Sequence, residues 1–594
     1  MRKLLMGNEA IGIAALNAGV NLISGYPGTP SSEILETAAK YNKDGLVHIE
    51  WSVNEKAALE VGAGAAYTGA RVMVTMKQVG LNVASDPLMS LAYIGVKGGM
   101  VIVVADDPGP ISSQTEQDTR MFAQFSKLPV FDPTTPEEAY KMTFDAFELS
   151  EKLQIPVFLR PTTRICHACA SIDDCDLNIN PKKFDGFIKD PKWAIFPSLS
   201  FRNHIKLEAI SENISKNELL PYNMVTNNPS SDVAVIAGGV SYSYALEALT
   251  QLDLLDKVKL IKLGQPVPSP DKFLSDELSG IDCIIVAEEL DPVIEDNIYK
   301  LNLSAKIYGK RDHTLPYAGE YTVEIIGDAL CKIFSIEQEI IEEPDYKLPV
   351  RPPVLCTGCP HRASFYAVKK AMKNVKSVFS GDIGCYTLGN AKPLNMVDTC
   401  LCMGAGITIA QGLQHIEPDV KHFAFIGDST FFASGITGMI NAVYNKANIN
   451  IIILDNSTTA MTGQQPHPGT GKTMMGEISE TIDIEGIVRA CGVKDVHKLN
   501  PFDFDNAVDT VKKAADYDGV SVVIFKSSCI TLVKKTKQCK INDKCINCKR
   551  CINEIGCPAI VISGDKVIID SAVCTGCGLC KNVCNVEAIE DENE

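Results

Sequence analysis

No stretch of this 594-residue sequence approaches about eighteen consecutive apolar residues, so a membrane-spanning helix is not expected. An excess of positive charge is missing too: 56 Lys and Arg stand against 73 Asp and Glu, a formal charge of −17, which argues against nucleic acid as a partner. The first residues carry two basic side chains, Arg2 and Lys3, but Gly7, Asn8 and Glu9 interrupt the apolar run, so no secretory h-region forms. Without such a start, and at this length, the 21 cysteines do not read as a disulfide framework. The expected setting is soluble, cytoplasmic and reducing. No short tandem repeat is evident.

What is present is an uneven distribution of cysteine: ten of the 21 fall in the last 66 residues. Elsewhere, helical periodicity alternates with short β-branched runs bounded by Gly or Pro, which predicts α/β units around parallel sheets buried on both faces. Such runs are Val72–Met76, Met100–Ala105, Ile155–Leu159, Val233–Ala237, Val258–Ile261, Cys283–Ala287, His422–Ile426, Ile449–Leu454 and Val520–Phe525. Polar, Pro-rich gaps from about 170 to 232 and from 340 to 353 divide the chain. The expected regions are 1–175, a linker at 176–230, a smaller α/β region at 231–340, a third at 350–535, and the cysteine-dense tail at 536–594.

In the tail, Cys545, Cys548 and Cys551 form one C-x-x-C-x-x-C run followed by Cys557, and Cys574, Cys577 and Cys580 form another followed by Cys584. Two triplet-plus-one sets suit two 4Fe-4S cubanes, each bound by four thiolates; paired C-x-x-C zinc sites are the rival reading. In two-cluster ferredoxins the fourth cysteine serves the other cluster, which would group Cys545, Cys548, Cys551 and Cys584, and separately Cys574, Cys577, Cys580 and Cys557. The sequence departs from that pattern in having five residues between Cys551 and Cys557 and Asn585 after Cys584. Cys539 is a ninth thiol with no assignment. The Glu587–Glu594 run reads as a solvated acidic end.

In the third region an apolar strand ends in Gly427-Asp428-Ser429, and a second ends in Asp455-Asn456-Ser457-Thr458. Two parallel strands joined by one helix bring both C-terminal ends to one sheet edge, where Asp428, the Asn456 amide oxygen and a carbonyl near Thr458 could hold Mg2+ with diphosphate oxygens. This resembles the thiamine-diphosphate motif Gly-Asp-Gly followed by Asn, with Ser429 replacing the last glycine. In the first region, Glu55 opens an Ala/Gly-rich segment with Gly62 and Gly64. That arrangement resembles the pyrimidine-binding domain of thiamine enzymes, where a carboxyl on the ring nitrogen promotes removal of the proton from the reacting carbon. A helix-start glutamate favoured by the dipole is the plain alternative, and Glu50 and Glu60 are lesser candidates.

Longer motifs are Gly25-Tyr-Pro-Gly-Thr29-Pro-Ser-Ser-Glu33, Met76-Lys-Gln-Val-Gly-Leu-Asn-Val-Ala-Ser-Asp-Pro87, Cys356-Thr-Gly-Cys-Pro-His-Arg362, Gly381-Asp-Ile-Gly-Cys385 and Ala460-Met-Thr-Gly-Gln-Gln-Pro-His-Pro468. With the thiamine-type residues and the tail, they resemble the 2-oxoacid:ferredoxin oxidoreductases, and within them the large subunits that act on aryl pyruvates, over nearly the whole chain. The resemblance implies thiamine-diphosphate folds at 1–175 and 350–535, a transketolase C-terminal-like domain at 231–340 and a ferredoxin-like two-cluster tail. It implies oxidative decarboxylation of indolepyruvate, phenylpyruvate or hydroxyphenylpyruvate with coenzyme A. The products would be an aryl-acetyl-CoA, carbon dioxide and reduced ferredoxin. A smaller beta subunit would complete the enzyme as a dimer of alpha-beta heterodimers.

The same resemblance places Thr29 against the oxoacid, Cys385 beside the thiazolium ring and Met403 under the bent cofactor. The plain alternatives are a turn hydroxyl, an inert buried cysteine and core packing. His467, in a loop soon after Asn456, could reach the substrate carboxylate or donate a proton. Cys356 and Cys359 are given no cluster, and Cys166, His167, Cys169 and Cys175 no metal. Two other functions compete: a non-oxidative aryl-pyruvate decarboxylase, for which clusters are needless, and an electron-transfer protein with nucleotide-binding α/β regions.

Overall fold

The computed structural model describes residues 2–173, 175–216, 221–337, 348–534 and 537–592. It divides into two compact units, Met1–Pro344 and Asp345–Glu594. The expected boundary at 340, that at 535–536 and the last two residues of the acidic end lie outside the described residues. Among the described residues, no helix is long and apolar enough to cross a membrane.

The first unit holds two large sheets and a small antiparallel pair, Lys3–Met6 with Cys169–Ile172. One has six strands in the order His48–Trp51, Leu22–Gly25, Val72–Lys77, Met100–Ala105, Val157–Leu159 and Val130–Phe131, every neighbouring pair parallel. Its central strands are buried on both faces, as their unbroken apolar runs require. The other sheet orders Lys306–Tyr308, Cys283–Ala287, Val233–Gly238, Lys259–Leu263 and Asn223–Asn227. Its last strand is antiparallel and comes from the segment read as a linker, which also carries the helix Pro197–Lys216. That helix and strand are largely polar and exposed, so they lack the apolar periodicity that marks the others.

The second unit is built on a parallel sheet ordered Ser377–Ser380, Lys421–Gly427, Asn450–Asp455, Ser521–Lys526 and Asp495–Leu499. The tail adds two small antiparallel pairs, Cys539–Ile541 with Ile589–Asp591 and Ile560–Ser563 with Lys566–Ile569. The tail does not stand apart: Ile555, Ile560, Val567, Leu579 and Val583 share one buried cluster with Phe423, Phe425, Leu454 and Phe525 of the sheet.

A buried charge network joins the two large sheets of the first unit. Arg120, 1% exposed, is bonded to Asp118 at 2.7 Å and to Glu288 at 2.7 Å, and donates to the carbonyls of Glu289 and Asp291. Removing one partner of such a set leaves an uncompensated buried charge, a cost of about 3–5 kcal/mol. Arg120→Ala is therefore expected to lower this unit's unfolding free energy by that order, read from its denaturant unfolding curve. A change under about 1 kcal/mol would show that the network is solvated.

Candidate thiamine site and cysteine cavities

In the first unit the residues of interest gather at the C-terminal edge of the parallel sheet, the place where ligands bind in such folds. Glu55 begins the helix Glu55–Tyr67, whose N-cap Asn54 accepts from the Ala57 amide at 2.8 Å. Its carboxyl is buried over the helix Gln78–Val83, which starts directly after the strand Val72–Lys77. A β-carbon at Gly80 would come within 2.5 Å of Glu55 Oε1, so only glycine leaves room for the acid. Burial pushes the Glu55 carboxyl up to about 7, against the pull of nearby Lys77, whose own pKa burial lowers. Thr29, at the end of the neighbouring strand, accepts at its carbonyl from Ser112 Oγ at 3.0 Å.

In the second unit, the strands Lys421–Gly427 and Asn450–Asp455 end side by side. Asp428 ties them together: Oδ1 accepts from the Ser429 amide at 2.8 Å, and Oδ2 from the amides of Asn456 at 3.0 Å and Ser457 at 2.8 Å. Burial alone would raise its pKa, but the hydrogen bond from His467, with these amides, holds the carboxylate below its ordinary value. His467 Nδ1 accepts from the Gly469 amide at 3.1 Å, which leaves Nε2 to donate to Asp428 Oδ2 at 3.1 Å. His467 thus sits buried against the acid, with both ring nitrogens engaged.

Asn456 is oriented by a residue that sequence reasoning passed over. Its Nδ2 lies 3.2 Å from His361 Nε2. Burial brings His361 down to about 4, so the ring is neutral and can accept that hydrogen bond. The amide oxygen then faces away from His361, and the Thr458 amide donates to it at 3.2 Å. Lys526 holds Asp455 at 2.7 and 2.8 Å and Ser457 Oγ at 2.9 Å. Asp428 and Asn456 thus present carboxylate and amide oxygens, the donor type a small divalent ion takes, at one sheet edge, with Thr458 beside them. Ser429 accepts from Thr459 Oγ1 at 3.0 Å, and the carbonyl of Met403 accepts from Ser434 Oγ at 3.1 Å. Tyr386 packs so closely on Gly427 that a β-carbon there would come within 2.5 Å of its ring. Asp382 was also missed: buried, raised to about 7 by that burial, it accepts from the amides of Ile383 and Gly404.

Below this edge, Cys385 is raised to about 11 by burial, then by the neighbouring Cys529 and Cys356. The tail cysteines ring two cavities. One is lined by Cys557, Cys574, Cys577 and Cys580, together with Cys539 and the Thr357-Gly358-Cys359 turn. The other is lined by Cys545, Cys548, Cys551 and Cys584. Among the described residues no three Cys, His, Asp or Glu side chains converge on one point as a single-ion site would need. A ring of thiols about a cavity suits a cubane. Cys580 donates a hydrogen bond to Cys539, which brings the Cys539 thiol down to about 7 and raises that of Cys580.

Two family descriptions match the chain: "Pyruvate flavodoxin/ferredoxin oxidoreductase, thiamine diP-bdg" over residues 13–217, and "Thiamine pyrophosphate enzyme, C-terminal TPP binding domain" over residues 382–525. With the parallel-sheet edges just described, these define a thiamine-diphosphate-dependent oxidoreductase. The full-length relatives narrow the class. The indolepyruvate oxidoreductase subunit IorA of Archaeoglobus fulgidus is 40% identical over 99% of this chain and 97% of its own. That of Thermococcus kodakarensis is 41% identical over 100% and 97%, and that of Methanothermobacter marburgensis 40% identical over 100% and 98%. The chain belongs to the indolepyruvate oxidoreductase IorA family, within the 2-oxoacid:ferredoxin oxidoreductases.

The raised carboxyl of Glu55 has a consequence for stability. A folded pKa of about 7 against 4.5 when exposed means the folded state holds more protons between those values, so stability falls as pH rises through that window. In the thiamine-free chain, Glu55→Gln should be more stable than the parent above pH 7, by roughly 3 kcal/mol, with the difference shrinking toward pH 4.5. Denaturation midpoints across that range check this; a pH-independent difference would mean that the acid is not buried.

Proposed function

We propose that this chain is the large subunit of an enzyme that decarboxylates aryl pyruvates oxidatively. The balance is an aryl pyruvate, coenzyme A and two oxidised ferredoxins giving aryl-acetyl-CoA, carbon dioxide, two reduced ferredoxins and a proton. The substrates are indolepyruvate, phenylpyruvate and hydroxyphenylpyruvate, and a beta subunit completes the enzyme as a dimer of alpha-beta pairs. The observation that carries the reading is the conjunction, in one chain of this family, of the buried Glu55 acid, the Asp428–Asn456 oxygens and two cavities ringed by cysteine.

When bound, thiamine diphosphate supplies a carbon nucleophile and a sink for the electrons released with carbon dioxide. Asp428, Asn456 and Thr458 would hold Mg2+ and through it the diphosphate, next to Gly427 and Ser429. Asp428 is already ionised for this, since donors surround it. Glu55 keeps a carboxyl proton near neutral pH because burial disfavours its charge, which lets it donate to a ring nitrogen and take the proton back. Thr29 would contact the oxoacid, while Cys385 and Met403 would border the cofactor. His467, seated on Asp428, would act beside the metal and meet the substrate carboxylate only by leaving that acid. One cubane would be bound by Cys574, Cys577, Cys580 and Cys557, and the other by Cys545, Cys548, Cys551 and Cys584. The sheet of Val233–Gly238 would serve as the transketolase C-terminal-like domain, and the site of action would be the cytoplasm.

The assay is anaerobic reduction of ferredoxin or a viologen dye by the alpha-beta enzyme, dependent on an aryl pyruvate, coenzyme A and thiamine diphosphate. Glu55→Ala should abolish it, a loss of at least ~100-fold for a general acid-base group, while iron-sulfur absorbance is kept. Cys577→Ala should lose cluster signal and electron output but retain thiamine binding. Accumulation of aldehyde without dye reduction would replace this function by the non-oxidative one, and equal activity of Glu55→Ala and the parent would remove the acid from the mechanism.

A further inference from the structure

The segment Cys356–Arg362 reaches two places at once within the second unit. His361 orients Asn456, as described, while the adjacent Arg362 lines the cavity of Cys557, Cys574, Cys577 and Cys580. The turn before them is pressed against the tail. Gly358 has φ +70°, and a β-carbon there would come within 2.1 Å of Thr575 Oγ1, beside Cys574. Arg362 is 4% exposed. Its Nη1 donates to the carbonyls of Ile555 at 2.6 Å and Gly556 at 2.9 Å, and its Nη2 to that of Leu355, while Nε has no hydrogen-bond partner. These partners are neutral carbonyls. They fix the guanidinium but do not compensate its charge, and a buried uncompensated cation is costly.

The second cavity is built differently. Its cations are Lys549, which is exposed, and Arg550, which pairs with Glu554. A cubane with four thiolates is anionic, and each electron added deepens its charge; reduction potential follows net charge, hydrogen bonding to sulfur and exposure. A fixed cation in a low-dielectric wall favours the added electron.

We propose that Arg362 is the resident counter-cation of the cavity ringed by Cys557, Cys574, Cys577 and Cys580, and that it raises the reduction potential of the cluster held there and leaves the other cluster unaffected. This rests on the reading of the tail cysteines as cluster ligands. It makes Arg362 a tuning residue, distinct from the ligands, and it gives the two clusters unequal affinity for electrons. The cluster that shares the Cys356–Arg362 segment with Asn456 is the better acceptor than its cysteines alone would make it.

The test is an EPR-monitored redox titration of the full-length, iron-loaded chain with its partner subunit, comparing the parent with Arg362→Gln and Arg362→Lys. Cys577→Ser and Cys548→Ser assign each signal to its cavity. For Arg362→Gln, the ratio of reduced to oxidised cluster in the Cys577 cavity should fall at least tenfold at a given potential, which is ~59 mV for a one-electron couple, with the other signal in place. Arg362→Lys keeps the charge and should stay within threefold of the parent. Unmoved potentials, equal movement of both signals, or a lysine variant that behaves like glutamine would each overturn the proposal. If the glutamine variant does not load iron, the lysine variant decides alone, and a lysine variant that also fails to load counts against the role of charge. A parent chain that takes up no iron and sulfide and gives no cluster signal defeats the cluster reading itself, a result distinct from any of these.

Discussion

The second unit depends on one buried carboxylate. Asp428 accepts from the backbone of its own turn and from the first two amides after the next strand, so the ends of two neighbouring strands are held in register by a single side chain. Parallel strands leave their terminal amides and carbonyls unpaired at this edge, and satisfying them with an acid concentrates negative charge where a metal and a diphosphate would sit. The arrangement is stabilised by the ring of His467 and supported by Lys526 through Asp455 and Ser457. Stability and site chemistry use the same atoms here.

The loop from Cys356 to Arg362 extends that dependence toward the tail. His361 and Arg362 are consecutive at the start of one helix, Pro360–Ala371, and project to the Asn456 amide and to a cavity of cysteines. The shared apolar cluster of sheet and tail keeps those two environments in one compact body. The Asn456 amide and the cavity of Cys557, Cys574, Cys577 and Cys580 are thus touched by two consecutive side chains of one helix.

Much of this was legible in the sequence, for identifiable reasons. The runs at Val72, Met100, Val233, Cys283, Ile449 and Val520 are buried on both faces, so their apolar content is unbroken and they are the strands observed. Short or half-exposed strands such as Asp495–Leu499, Ser377–Ser380 and Asn223–Asn227 carry too little apolar signal to be read. The spacing of the tail cysteines marks two triplets, and each triplet lines its own cavity together with the cysteine that follows the other triplet. His361, Asp382 and Arg362 escaped because their importance lies in partners distant along the chain: an amide at 456, a backbone amide at 404, and carbonyls at 555 and 556. The raised pKa of Glu55 was likewise not legible, because it comes from burial against Gly80, 25 residues further along the chain.

The central claim is that electrons released at the thiamine edge leave through the cysteine-lined cavities of the same chain. It is tested most directly by mixing the iron-loaded alpha-beta enzyme anaerobically with an aryl pyruvate and thiamine diphosphate, with no external acceptor, and recording the low-temperature EPR spectrum. The account predicts a reduced-cluster signal that appears with carbon dioxide release and is absent in Asp428→Ala. Carbon dioxide release with the clusters still oxidised and free aldehyde in solution would contradict it.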